Sequence, residues 1–194
     1  DKARDLMRLI AEGTHTCGDP GVQFHTTINR WNTCSESGEI NASNPCSEYM
    51  FLDNSACNLA SLKLTKFWDP EKGFNVEDFK KAAKITAKAQ EILIDNSSSP
   101  TQEIARTAHD FRPLGQGYAD LGSLLMRIGV PYDSDHGRAI AAAVTALQTG
   151  SVYEASTEMA KELGAFKEFE KNKRSMLKVI KKHKQELERI DREK

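Results

Sequence analysis

Three side chains that can do chemistry lie at alternate positions near the first quarter of the chain. Asn44 carries an amide, Cys46 a thiol and Glu48 a carboxylate, and a second thiol, Cys57, follows eleven residues after the first. If this segment is extended, alternate side chains point to the same side. The thiol would then stand between a hydrogen-bonding amide and a group that can act as acid or base. The spacing predicts a site for chemistry on a polar substrate.

Each of these residues also has a purely structural interpretation. A cysteine is most often buried and inert, so Cys46 and Cys57 could both be packing residues. A glutamate such as Glu48 is common on the exposed side of a strand, and an asparagine such as Asn44 is common in turns. The residues alone leave these alternatives open.

The composition excludes several classes of function. The chain has 194 residues and a formal net charge of -1, which gives no basic surface for a nucleic-acid polymer or a membrane. No apolar run is long enough to cross a bilayer, and the start has no signal-peptide pattern. Four cysteines without such a signal indicate a reducing, cytoplasmic location. A hydrophobic content of 39% is low for a self-contained globular protein.

A zinc site is the rival use of the four cysteines. Structural zinc sites usually contain ligand pairs close in sequence, such as Cys-x-x-Cys. Cys17, Cys34, Cys46 and Cys57 are spread singly, and His15 with Cys17 is one weak pair. We therefore predict no metal site, and interpret Cys17 and Cys34 as structural residues or as additional thiols near the site.

Loops and helices are predicted to position the candidate site. A short amphipathic helix is expected from Lys2 to Glu12, ended by Gly13. Residues 13–48 are dense in Gly, Pro, Asn, Ser and Thr, so loops and short extended pieces should dominate there. Residues 50–64 contain short strand-like runs.

The rest of the chain is predicted to be mostly helical. Caps, glycines and apolar spacing predict four elements: a helix from Asn75 to about Ile94, a strand continuing as a helix over 114–128, a helix capped by Asp133 or Ser134 and ended by Gly164, and a helix from about Phe169. The last helix is expected to bury a stripe made of Met176, Ile180, Leu187 and Ile190. The charged run 181–194 should be a solvated helix face. Gly115 and Gly117 favour close packing over a nucleotide fingerprint.

The segment 40–64, INASNPCSEYMFLDNSACNLASLKL, resembles the catalytic segment of a ribonucleotide reductase. It is most similar to the adenosylcobalamin-dependent class. The likeness continues through nearly the whole chain in a specific order of motifs: CGDPGVQF at 17–24, Ile28-Asn29, HDFRPLG at 109–115, GYADLG at 117–122 and GVPYDSD at 129–135. Any one of these motifs is weak alone, but the ordered set is highly specific.

The resemblance implies an α/β fold, a segment of the ten-stranded barrel of that family. Residues 1–194 would be part of one catalytic barrel domain, with a loop and strand segment over 1–68 and a mainly helical segment over 69–194. In the family the radical cysteine sits at the tip of a finger loop. Because family members are several times longer, we expect an interior piece with few short strands that does not close a barrel by itself.

The resemblance also assigns roles to the four candidate residues. Cys46 would be the thiyl radical, and Glu48 the general base and later acid on the substrate's 3′ hydroxyl. Asn44 would hydrogen-bond the ribose hydroxyls. Cys57 would be a redox-active thiol whose partner thiol lies outside this chain. No residue is assigned to cofactor binding.

The activity implied is reduction of ribonucleoside diphosphates to 2′-deoxyribonucleoside diphosphates for DNA synthesis. Adenosylcobalamin would generate the radical. The partners implied are the ribonucleotide, a thioredoxin-like or other dithiol reductant, the remainder of the reductase chain and, at full length, a second copy in a homodimer. Two alternatives remain: the class that uses a separate radical-generating subunit, and a non-catalytic split or remnant piece that acts only in assembly. The isolated chain is expected to be inactive.

Overall fold

The structure, a computed structural model, describes residues 2–191 and is mostly helical. The helices and strands follow in chain order: α1 (Lys2–Cys17), α2 (His25–Asn29), β1 (Asn58–Lys63), β2 (Trp68–Asp69), β3 (Gly73–Phe74), α3 (Val76–Asn96), α4 (Gln102–Phe111), β4 (Leu114–Ala119), α5 (Leu121–Arg127), α6 (Asp135–Leu163) and α7 (Phe169–Glu186). Two short 3-10 helices, Leu64–Phe67 and Leu187–Arg189, complete the set. None of the described helices combines the length and the apolar character that a membrane span needs.

Strands β1 and β4 form a parallel pair, in register from Asn58 opposite Leu114 to Lys63 opposite Ala119. Parallel strands need a crossover connection, and here the connection includes helices α3 and α4. Strands β2 and β3 form a separate two-residue antiparallel pair. The described strands therefore do not close a barrel, as the sequence predicted.

The hydrophobic core lies where α3, α5 and α6 meet the end of β1. Its centre consists of Leu64, Phe79, Leu124 and Val144, all buried. The ring of Phe79 is fully buried and meets Phe67 edge to face at a centroid distance of 5.2 Å. Because α3 also packs along α6, the apolar side of α3 is covered by both the strands and the long helix.

A buried amide ties α3 to the first residues of both parallel strands. The side chain of Gln90 is almost fully buried, and its Nε2 donates to the carbonyl oxygens of Asn58 at 3.0 Å and Gly115 at 2.9 Å. The Asn58 side chain donates back to the main-chain oxygen of Gln90 at 3.0 Å. This exchange fixes where β1 and β4 begin.

Arg112 fixes the chain just before β4. It ends α4 in a left-handed conformation with φ of 51°. Its guanidinium donates to both carboxylate oxygens of Asp95 at 2.8 and 2.9 Å and also contacts the carboxylate of Glu91. Hydrogen bonding to Asp95 raises the pKa of Arg112 and lowers that of Asp95, so the pair stays charged. The HDFRPLG motif therefore joins α4 to α3.

Several predicted boundaries are confirmed. Asn75 caps α3 by accepting from the Asp78 N–H at 3.0 Å, and Ser134 caps α6 by accepting from the Gly137 N–H at 3.0 Å. The segment 114–128 is a strand followed by a helix, as expected.

The predicted end of the first helix is wrong. Helix α1 runs through Gly13 to Cys17. A Cβ on Gly13 would lie 2.9 Å from the Asp19 oxygen and 3.1 Å from Pro20 Cδ. Gly13 thus lets the following loop fold back against α1, and it does not end the helix.

The predicted apolar stripe of α7 is only partly correct. Met176 and Ile180 are half-buried, but Leu187 lies beyond the helix and is 41% exposed. The fully buried residues of α7 are Val179 and two polar residues, Asn172 and Ser175. Asn172 accepts from the Glu36 N–H at 3.1 Å, which joins α7 to the loop before the candidate site. The charged run 181–194 is predicted to be one face of a helix, but α7 ends at residue 186. Residues 192–194 lie outside the described residues.

We expect Gln90→Ala to lower the free energy of unfolding by about 2–4 kcal/mol, because two strand carbonyls lose their donor and a buried side chain is removed. Urea unfolding followed by far-UV circular dichroism measures this. Gln185→Ala is the matched control, because Gln185 is exposed on α7; it should change the free energy by less than about 0.5 kcal/mol. Equal effects of the two substitutions would contradict this account of the strand ends.

Candidate active site

Residues 43–50 form a hairpin, here called the finger loop. Ser43 and Met50 pair in an isolated antiparallel bridge at its base. The Asn44 N–H donates to the Tyr49 oxygen at 3.4 Å, and the Tyr49 N–H donates to Asn44 Oδ1 at 3.0 Å. Cys46 lies in the turn at the tip with an exposed side chain.

The segment 44–48 does not stay extended, so the condition for strand alternation is not met. A turn interrupts it, because the Ser47 N–H donates back to the Asn44 oxygen at 3.1 Å and Ser47 adopts φ of 66°. Asn44 is half-buried in the hairpin, whereas Cys46 and Glu48 are exposed. The thiol of Cys46 and the carboxylate of Glu48 are therefore exposed because they lie in a hairpin, and not because they alternate along an extended strand.

Cys57 lies immediately before β1, where the two parallel strands begin. It is half-buried, and a Cβ on Gly115 of β4 would stand 3.2 Å from its Sγ. The same Cβ would lie 2.4 Å from Leu59 Cδ2, whereas one on Gly117 would meet nothing nearer than 3.9 Å. Gly115 therefore makes room for the Cys57 thiol, which confirms packing at this position, while Gly117 does not need to be small.

The finger loop and Cys57 lie within electrostatic reach of each other. Burial raises the pKa of Cys57, and the negative charge of Glu48 raises it further. Burial also raises the pKa of Tyr49 to about 12, partly offset by the hydrogen bond from Tyr49 Oη to Ser55 Oγ at 3.0 Å. The structure thus brings Glu48, Tyr49 and Cys57 into one cluster.

The protonation state of this cluster decides what it can do. With a raised pKa, Cys57 is a thiol near neutral pH and a poor nucleophile. A thiol of this kind keeps a hydrogen to donate. Cys46 has no side-chain hydrogen bond among the described residues and lies at the exposed tip of the finger loop.

The other two cysteines differ in their surroundings. Cys34 is 1% exposed, its N–H donates to Asn32 Oδ1 at 2.8 Å, and burial raises the pKa of its thiol. This environment fits a packing residue. Cys17 is exposed at the end of α1, where its thiol donates to the Gly13 oxygen at 3.4 Å. Within residues 2–191, no three His, Cys, Asp or Glu side chains are grouped so as to hold a metal ion.

Two amide side chains without a predicted role hold the finger loop and the residues just before it. Asn29 Nδ2 donates to the Ile40 oxygen at 3.0 Å, and Asn29 Oδ1 accepts from the Ile40 N–H at 2.9 Å. Gln23 Nε2 donates to Ser43 Oγ at 3.0 Å and to Ser47 Oγ at 2.5 Å. Both residues fall within quoted motifs, but hydrogen bonds between segments of a chain leave no local spacing pattern.

Comparison with known proteins decides the family. The family model described as "Ribonucleotide reductase, barrel domain" matches residues 1–193. The chain belongs to the ribonucleotide reductase barrel-domain family. The recognition made from the 40–64 segment and the ordered motifs is thereby confirmed.

Several relatives are much longer reductases. The chain is 49% identical over 189 residues to the vitamin B12-dependent ribonucleotide reductase of Rhodopirellula baltica, which covers 97% of this chain and 18% of the relative. It is 48% identical over 183 residues to the protein of the same name from Agrobacterium fabrum, covering 94% and 14%. A vitamin B12-dependent ribonucleoside-diphosphate reductase of Mycobacterium tuberculosis is 32% identical over 167 residues, covering 86% and 24%.

A solved structure confirms the fold independently. The class Id ribonucleotide reductase alpha subunit of Actinobacillus ureae superposes with a TM-score of 0.72 at 19% identity. The match covers 86% of this chain and 33% of that subunit. At this identity the match establishes a reductase-type fold for this barrel segment and not an activity.

We expect the rate at which iodoacetamide alkylates Cys57 to rise at a higher pH than it does for an ordinary cysteine. The reason is that the thiolate is the nucleophile and the pKa of Cys57 is raised. Glu48→Gln should move this profile part of the way back to lower pH, since burial is the larger cause and remains. Peptide mass spectrometry over a pH series measures both profiles. Glu71→Gln, in the exposed turn between β2 and β3, is the control. A Cys57 profile that is identical with and without the Glu48 carboxylate would contradict the cluster.

Proposed function

We propose that this chain is the catalytic segment of an adenosylcobalamin-dependent ribonucleoside-diphosphate reductase. The observation that carries the proposal is the exposed Cys46 thiol at the tip of a finger loop whose Glu48 lies close enough to Cys57 to raise its pKa. Membership in the reductase family supports the same conclusion.

Cys46 would do the radical chemistry. As a thiyl radical it takes the hydrogen atom from C3′ of the ribose and becomes a thiol, which leaves a carbon radical beside the 2′ hydroxyl. The 2′ hydroxyl then leaves as water with a proton from a thiol, and Cys46 finally returns its hydrogen atom to C3′. The exposed position at the turn supports this role, because an abstracting sulfur must approach the substrate directly.

Glu48 and Asn44 would handle the hydroxyl groups. Glu48 takes the proton of the 3′ hydroxyl as a general base and later gives it back. The Oδ1 of Asn44 accepts from the Tyr49 N–H, and among the described residues nothing accepts from its Nδ2. These N–H groups are therefore left to hold a ribose hydroxyl.

Cys57 would supply half of the reducing equivalents. Together with a second thiol it loses two hydrogen atoms and forms a disulfide, while the substrate exchanges a hydroxyl for hydrogen and water is released. As the family resemblance implies, the second thiol would lie outside this chain; Cys34 is buried and Cys17 lies at the end of α1. A thioredoxin-like or other dithiol would reset the disulfide, and the four free thiols suit the cytosol.

The names of the relatives support cobalamin dependence, and the name of the Mycobacterium tuberculosis relative supports a diphosphate substrate. Adenosylcobalamin supplies a radical by cleavage of its cobalt–carbon bond. Two clefts on the surface of the described residues, of about 610 and 420 Å3, are not lined by Cys46. We assign no described residue to cofactor binding.

The chain would act as part of a larger protein. It spans 14–24% of the length of the three relatives compared above, and a two-stranded parallel sheet is too small to enclose a substrate. We place residues 1–68, with the finger loop, and the mainly helical residues 69–194 in one barrel domain. A non-catalytic assembly role is the alternative that the next experiment separates.

A chimera provides the test. Residues of this chain replace the matched segment of the Rhodopirellula baltica reductase, and deoxyribonucleotide formation is measured with adenosylcobalamin, ribonucleoside diphosphate and a dithiol. We expect turnover in the chimera, background rates for its Cys46→Ser variant, and none for the 194-residue chain alone. Cys17→Ser is the matched control, since it removes an exposed thiol outside the finger loop and should leave turnover unchanged.

Two results would contradict the proposal. One is a folded chimera that binds the nucleotide but forms no product, which would favour the assembly role. The other is undiminished turnover after Cys46→Ser. Turnover by the isolated 194-residue chain would show that the segment needs no further domain.

A further inference from the structure

The finger loop has few hydrogen bonds of its own. Its base is closed by the Ser43–Met50 bridge and by the reciprocal contacts of Asn44 with Tyr49. At the tip, the one main-chain hydrogen bond is that from the Ser47 N–H to the Asn44 oxygen. The position of the Cys46 thiol therefore depends on what holds the turn.

The turn also contains a backbone conformation that needs support. Ser47 has φ of 66°, in the left-handed region of the backbone that residues other than glycine and asparagine rarely adopt. Ser47 follows Cys46 directly, so a change in its backbone moves the thiol. A contact that holds Ser47 consequently holds Cys46.

Gln23 makes that contact from a different segment of the chain. Its Nε2 lies 2.5 Å from Ser47 Oγ and 3.0 Å from Ser43 Oγ, so it spans the hairpin from base to tip. The donor count is complete: Nε2 has two protons, one for each hydroxyl, and Ser43 uses its own proton on the Asn44 oxygen at 2.7 Å. Among uncharged side chains, only the amide nitrogen of Asn or Gln supplies two donors at one atom.

The segment that carries Gln23 is itself fixed. Six residues further on, Asn29 forms two hydrogen bonds with the main chain of Ile40, just before the finger loop. On the other side, the loop after α1 packs against Gly13. Residues 23–29 thus lie along residues 40–47 and meet them at both ends.

We propose that Gln23 is a positioning residue for Cys46: by donating to Ser43 and Ser47 it sets the direction in which the fingertip presents the thiol. This inference rests on the proposed function of Cys46. Gln23 does not touch the reacting atoms, and it acts through the two serine hydroxyls.

Two substitutions separate donor geometry from packing. Gln23→Ala removes the whole amide, and Gln23→Met keeps a side chain of similar length but removes every hydrogen-bonding group. In the chimera, we expect both variants to lower kcat by about a hundredfold with KM within about twofold, because misplacement of a reacting group by about 1 Å costs that much while substrate contacts remain. Gln185→Ala is the matched control and should leave kcat and KM unchanged.

A double-variant cycle tests the route through Ser47. If Gln23 acts by way of Ser47, the combined variant Gln23→Ala with Ser47→Ala should lose less kcat than the product of the two single losses.

Amide hydrogen exchange gives a readout that needs no turnover. In the 194-residue chain, Gln23→Ala should accelerate exchange at Ser47 and Tyr49, while exchange in α3 stays unchanged.

The outcomes distinguish this inference from the proposed function. An inactive parental chimera would count against the proposed function, and the exchange experiment would still decide whether Gln23 holds the fingertip. Unchanged exchange at Ser47 and Tyr49 would overturn the positioning role. So would full activity of Gln23→Met, which would make Gln23 a packing residue, or multiplicative losses in the cycle.

Discussion

The hydrogen bonds of one buried amide determine where the Cys57 thiol, just before β1, stands. Gln90 donates from α3 to the first residues of β1 and β4 together, at Asn58 and Gly115. Cys57 is the residue before Asn58, so the same bonds fix its backbone. A two-stranded sheet has little pairing of its own, and the strand ends therefore depend on the helix that crosses them. Gly115 then leaves the space that the Cys57 thiol occupies.

The second thiol is fixed by different means. Cys46 stands on a hairpin outside the sheet. Gln23 holds that hairpin at its base and near its tip, and Asn29 holds the main chain of Ile40 just before it. Side chains determine the shape here because the finger loop has no neighbouring strand to pair with. Two separate sets of hydrogen bonds therefore hold the two thiols. Glu48 of the finger loop is close enough to Cys57 for its negative charge to raise the pKa of that thiol.

The sequence predicted those features that depend on local signals. The caps Asn75 and Ser134 lie within three residues of the N–H groups that they accept from, so they could be read directly. The family could be recognised because its motifs are short and ordered. The shape of the finger loop could not, since alternation suggested an extended strand while the left-handed Ser47 makes a turn. The polar side of α7, with Asn172 bonded to Glu36, depends on a partner 136 residues away and has no local pattern.

The most direct test of the central claim, that Cys46 abstracts the C3′ hydrogen of the ribose, is an isotope competition in the active chimera. Ribonucleoside diphosphates with hydrogen or deuterium at C3′ are mixed, and the isotope content of the remaining substrate and of the product is followed by mass spectrometry. The account predicts that the deuterated substrate is consumed more slowly and that Cys46→Ser abolishes its consumption. Equal rates of consumption of the two substrates would contradict it.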